Sequence, residues 1–173
     1  MTTPLLTVEP RAREVTERRV KVADHAVARG DVVISTLGLG SCVAIVLHDA
    51  LAGVGGLAHV LLPDASLSRD SGNRAKFAST AVPLLLEEMR ALGARGPVTA
   101  KLVGGASMFA QLLPSSGINM GERNVEAARQ ALAEARIPIA AQDTGGEHGR
   151  SVYLHVADGR VDVRSIRKGD LVL

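Results

Sequence analysis

Thr36-Leu-Gly-Leu-Gly-Ser-Cys42-Val-Ala-Ile-Val-Leu-His48, followed after a short turn by Val54-Gly-Gly-Leu-Ala-His59-Val-Leu-Leu62, is the stretch on which both fold and chemistry depend. Two apolar runs of strand length separated by Asp49–Gly53 read as a β-hairpin. The hairpin sets Cys42 at the start of one strand and His59 well along its partner. If Val46 or its neighbours face Val54, the strand ends bring Cys42 toward His59 or Leu61. The period-two alternation of side chains leaves that register open.

Cys42 is the only cysteine in the 173 residues. A thiol among glycines with an imidazole one strand later is the minimal set for a cysteine hydrolase. The thiolate attacks, the imidazole moves protons, and nearby backbone N–H groups hold an oxyanion. The competing reading of each residue is blander. A free cysteine is often a small buried hydrophobe, and a histidine on an apolar strand is often a hydrogen-bonded core residue. Gly38 and Gly40 tilt the balance, since they let the backbone approach a ligand and adopt positive φ around Ser41 and Cys42. Thr36 has a hydroxyl and a carbonyl with which to orient the imidazole, although most strand threonines do neither.

Working outward, residues 1–19 read as a flexible arm and residues 20–173 as a single domain. Val20–Ala28 and Asp31–Leu37 are strand-like. Arg74–Leu92 has helical spacing, with Pro83 set to kink or restart it and Gly93 to end it. Val98–Val103 is a strand running into Gly104-Gly105, and a second helix covers about Glu122 to Arg136. Ile137–Ala141, Ser151–Val156 and Arg160–Ile166 are further strands, the last two joined by an Ala-Asp-Gly turn. About seven strands and two helices make one mixed α/β (α+β) domain. Asp64–Asn73 reads as a mobile polar loop near the site.

The composition narrows the function. A net charge of +2, two Phe, one Tyr and no Trp give neither a nucleic-acid footprint nor a stacking platform. The basic residues of the stretch from Arg11 to Lys21 (Arg11, Arg13, Arg18, Arg19, Lys21) are diluted by Glu9, Glu14 and Glu17, the pattern of a solvated segment. No apolar run approaches the ~20 residues of a membrane helix, no signal-peptide segment is evident, and a lone thiol suits a reducing cytoplasm. Gly38-Leu-Gly40-Ser-Cys-Val43 fails as a dinucleotide fingerprint, because Val43 stands at the third glycine and a strand follows. His25 and His48 read as surface residues. His148 has no second ligand at metal-motif spacing, so a zinc site is not expected. Gly104-Gly105 and Thr144-Gly-Gly146 follow strands and suit either a cleft wall or tight turns.

The motifs TLGLGSCVAIVLHD, GGLAHVLLP, KLVGGASMF, NMGERNVEAARQAL and QDTGGEHGRSV occur in one order along Val20–Arg167. In that order they resemble the chemoreceptor glutamine deamidases, CheD, of bacterial chemotaxis. The resemblance implies Cys42 as nucleophile, His59 as general base and acid, and Thr36 as the orienting third member. Gly40, Ser41, Gly104 and Gly105 are expected around the substrate amide and oxyanion. The fold implied is similar to bacterial toxin deamidases of the cytotoxic necrotizing factor type, with layered β-sheets and helices packed on one side. The reaction implied converts protein glutamine to glutamate and ammonia through a thioester, without cofactor or metal. The partners implied are the cytoplasmic helices of methyl-accepting chemoreceptors and, in some relatives, a CheC-type phosphatase. The rival reading is a non-catalytic adaptor that binds receptors or the phosphatase; a protease or transglutaminase is a weaker third. A catalytic thiol is expected to alkylate well below the ~8.5 pKa of free cysteine.

Overall fold

A computed structural model describes residues 15–108 and 119–173. Ten strands among them form two five-stranded sheets. The central sheet contains β2 (His25–Arg29), β5 (Val54–Val60), β4 (Val43–Asp49), β6 (Val98–Gly104) and β7 (Ile139–Thr144), in that spatial order. The outer sheet contains β1 (Thr16–Val20), β3 (Val32–Leu39), β8 (Arg150–His155), β9 (Val161–Arg164) and β10 (Leu171–Val172). Pairing is antiparallel except between β1 and β3 and between β6 and β7. Helices α1 (Ala78–Ala91) and α2 (Met120–Glu134) cover the free face of the central sheet.

Every residue of β4 and of β5 is buried, which explains their continuous apolar sequence. One face packs on the helices through Val43, Ile45, Leu47, Ala58 and Val60. The opposite face, with Cys42, Ala44, Val46 and Leu57, meets Ile34, Val152 and Leu154 of the outer sheet. A strand covered on both sides has no polar face to alternate with. The expected α+β layering, with the helices on one side, is observed.

Several boundaries differ from the sequence reading. Thr16–Arg19, assigned to the arm, are the exposed part of β1, while residues 1–14 lie outside the described residues. The single strand expected over Val20–Ala28 is two, β1 and β2, in different sheets, with Ala23 at a φ of 58° between them. Pro83 neither stops nor restarts α1. It lies on the exposed side, and so does Ser79, whose carbonyl Pro83 leaves without an intrahelical donor, so that water can bind it. Asn119 caps α2 by accepting the Glu122 N–H at 3.1 Å. The Asp64–Asn73 loop contains one 3-10 turn, Ala65–Leu67, capped by Asp64. No helix among the described residues is long and apolar enough to cross a membrane.

Candidate active site

The register left open by the sequence is Ala44 opposite His59 and Val43 opposite Val60. Opposite residues share a face, and so do residues two apart on one strand. Cys42, two before Ala44, therefore shares the inter-sheet face with His59, on the diagonal of the ladder. Diagonal neighbours are roughly 7–8 Å apart, within reach of long side chains.

Thr36 enters from the other sheet. It is fully buried on β3, as His59 is on β5, and its Oγ1 lies 2.7 Å from His59 Nδ1. The same hydroxyl donates to the Val20 carbonyl of β1 at 2.9 Å. A hydroxyl has one proton. With that proton on Val20, Thr36 Oγ1 must accept from His59, which places the imidazole proton on Nδ1. His59 Nε2 is then a bare lone pair. It is buried, and among the described residues it has no hydrogen-bond partner, the Cys42 thiol included. Catalytic hydrogen bonds are often unformed before substrate arrives.

The residues before Cys42 are held carbonyl by carbonyl. Gly40 O accepts from Ala106 N and Cys42 O from Gly105 N, both at 2.8 Å. Between them Ser41 O accepts from Asn124 Nδ2 at 2.9 Å. Among the described residues, neither the Ser41 nor the Cys42 N–H has a backbone acceptor. Gly38 supplies the positive φ here, 71°, at the bulge where the β3·β8 register shifts; Gly40 does not have one. Gly104 sits beside the cysteine because only glycine fits: a Cβ there falls 2.4 Å from Cys42 O. The Gly105 N–H is spent on the Cys42 carbonyl and so is not a free oxyanion donor, although Gly105 lines a cavity with Ser107, Asn119 and Thr144. That bond ties Gly105 to the cysteine backbone.

Burial sets the resting protonation states. It raises the Cys42 thiol above its ordinary pKa, although the residue's own backbone N–H, turned toward the sulfur, pulls the other way. It lowers His59 to about 4. Near neutral pH the pair rests as thiol and neutral imidazole, not as a preformed ion pair. Burial thus works against the early alkylation expected of a catalytic thiol, because desolvation disfavours both charged forms.

Other sequence assignments also move. His48, expected at the surface, is buried, and its Nε2–H donates to Val156 O of the outer sheet at 2.9 Å. His25 is partly buried on edge strand β2, 2.9 Å from Glu88. Among the described residues no three His, Cys, Asp or Glu side chains converge as metal ligands. Asn124 was not singled out from the sequence. Its signal is positional: on α2 it shares the buried stripe with Gly121, Val125 and Ala128, where an amide is out of character.

A family model described as CheD chemotactic sensory transduction matches residues 61–165. A protein of Pyrococcus abyssi named probable chemoreceptor glutamine deamidase CheD is 45% identical over 90% of this chain and 96% of its own length. One of Caldanaerobacter subterraneus with the same name is 44% identical over 87% of this chain and 94% of its own. A chemoreceptor glutamine deamidase CheD of Halalkalibacterium halodurans is 42% identical over 88% and 95%. The family match begins just after His59, but a span of 90% of the chain takes in Thr36, Cys42 and His59 whichever end it omits.

Proposed function

The chain belongs to the CheD family, and from that premise we propose that it is a protein-glutamine deamidase acting on chemoreceptors, with Cys42 as nucleophile, His59 as base and acid, and Thr36 as the orienting residue. The observation that carries the reading is the Thr36–His59 contact, which leaves a bare imidazole nitrogen on the inter-sheet face of the only cysteine.

His59 Nε2 takes the Cys42 proton as the sulfur attacks the side-chain carbonyl carbon of a glutamine. The C=O π pair moves onto oxygen, and the unspent N–H groups of Ser41 and Cys42 are the donors at hand for that oxyanion, worth roughly 3–4 kcal/mol each when well placed. The carbonyl re-forms, the C–N bond breaks, and the imidazolium gives its proton to the departing nitrogen, which leaves as ammonia. A thioester remains. His59 Nε2 next deprotonates a water that adds to the thioester; the C–S bond breaks, the sulfur recovers the proton, and glutamate is released. No step requires a cofactor. Starting from a neutral pair, the chemistry is general-base assisted attack.

The substrates on this reading are glutamines on the cytoplasmic helices of methyl-accepting chemoreceptors, which places the enzyme in the cytoplasm. A CheC-type phosphatase is a second partner where the cell has one. The test is ammonia release with peptide mass mapping on a receptor cytoplasmic fragment, wild type beside Cys42→Ser. The expected result is conversion of defined glutamines to glutamate by wild type, with a loss of at least about a thousandfold in the variant. Binding of the fragment without conversion by wild type would instead establish the adaptor reading.

A further inference from the structure

The carbonyls of Gly40, Ser41 and Cys42 each have a donor, but the donors are of two kinds. Gly40 and Cys42 are bound by backbone N–H groups of Ala106 and Gly105. Ser41 is bound by a side chain, that of Asn124, reaching from α2. Asn124 is fully buried, and its second Nδ2 proton goes to Leu61 O at 3.1 Å, just past His59 on the partner chain of the hairpin. Two carbonyls facing one amide require the nitrogen there and not the oxygen, so the orientation of the carboxamide is fixed. Its Oδ1 is left buried without a partner among the described residues. The amide is present for what its nitrogen does.

A peptide unit is planar and trans, so fixing the direction of a C=O fixes the N–H on its far side. The N–H opposite the Ser41 carbonyl is that of Cys42, which has no backbone acceptor among the described residues. We propose that Asn124 is a positioning residue for the oxyanion site: its carboxamide holds the Ser41–Cys42 peptide plane so that the Cys42 N–H meets the oxyanion, and ties that plane to the strand bearing His59. This inference rests on the deamidase reading above. It assigns to α2 a part in the reaction that no charge or nucleophile on that helix reveals.

The test compares wild type with Asn124→Ala and Asn124→Ser, using a receptor fragment for turnover and iodoacetamide for the thiol. Deamidation builds an oxyanion, whereas alkylation of the same sulfur does not. The expected result is a kcat lower by about 10- to 100-fold with KM and the alkylation rate of Cys42 near wild type. The serine variant keeps a donor and should lose less; it carries the comparison if the alanine variant does not fold. A folded variant with unchanged kcat, or one in which alkylation falls in step with kcat, overturns the positioning role and leaves the deamidase reading intact. A wild type that releases no ammonia overturns both.

Discussion

The two ends of the β4·β5 ladder each bury a histidine and treat it in opposite ways. At the turn end, Asp49 is fully buried, and its carboxylate accepts four backbone N–H groups, those of Leu51, Ala52, Arg95 and Gly96, at 2.7–3.0 Å. Beside it His48 donates Nε2–H to Val156 O. At the open end, among the described residues, His59 Nε2 and Asn124 Oδ1 are buried without partners, and the N–H groups of Ser41 and Cys42 have no backbone acceptor. Buried polar groups are nearly always satisfied in native proteins, and exceptions call for an explanation. One end closes a sheet; on the proposed deamidase reading, the other keeps its hydrogen-bonding capacity for a substrate. For the two histidines, the difference lies in whether the fold supplies a partner for Nε2.

The largest test of that contrast sets His59→Gln against His48→Gln. Loss of the base should lower kcat by about 10²- to 10⁴-fold, with circular dichroism unchanged. His48→Gln should leave turnover close to wild type and act on stability instead, by about 1–3 kcal/mol if the Val156 carbonyl loses its donor, read from chemical denaturation. Equal turnover losses in the two variants would erase the distinction between the ends.

Acid separates them next. His59 is held neutral in the fold, at a pKa of about 4, against about 6.5 when exposed. Between these values the unfolded chain binds the extra proton, so stability falls as pH is lowered from about 6.5 toward 4, by up to about 3 kcal/mol. At Asp49, burial raises the pKa, but the N–H groups of Ala52, Gly96, Arg95 and Leu51 outweigh it and hold the carboxyl below its ordinary range. Its contribution is present above the ordinary carboxylate pKa and is lost only as pH falls through the lower folded value. The open end should therefore weaken first on acidification. Denaturation curves from pH 7 to 4 should show a slope that His59→Gln flattens and Asp49→Asn does not. The acid limb of kcat/KM in wild type should lie near 4, not near 6.5.

How much of this the sequence disclosed can be followed residue by residue. The hairpin and its Cys42–His59 juxtaposition were legible because two uninterrupted apolar runs flank a polar turn. Register was not, since parity constrains it only to the nearest two residues. The first strand was hidden because Thr16-Glu-Arg-Arg is exposed and β1 is fixed by parallel pairing with β3 instead of by an apolar face. His48 looked superficial beside a turn; it is buried by the β8–β9 hairpin of the other sheet, where a Cβ on Gly159 would fall 2.3 Å from its ring. The protonation of the pair was misjudged for the same reason. Desolvation comes from residues far away in sequence, while the glycines that suggested an activated thiolate are local.

Thr36→Val makes the smallest and most discriminating change, because valine keeps the shape of threonine and removes only the hydroxyl. The His59 Nδ1–H would then face no acceptor in a fully buried place, at a cost of about 1–3 kcal/mol in stability. The proton would no longer be pinned to Nδ1, and any imidazole carrying it on Nε2 cannot serve as the base. A partner that orients a metal-bound histidine is typically worth about 10- to 100-fold; a fall of that size in kcat is expected here, with KM unchanged, and Thr36→Ser should recover most of it. Alkylation of Cys42 near neutral pH should fall along with kcat, since the thiol rests protonated and needs the same nitrogen to lose its proton. Loss of the Asn124 amide should leave alkylation untouched. The two supports of the open end, one holding the base and one holding the oxyanion peptide, thus come apart under a single pair of measurements; if alkylation is insensitive to Thr36→Val, the hydroxyl does not govern the base.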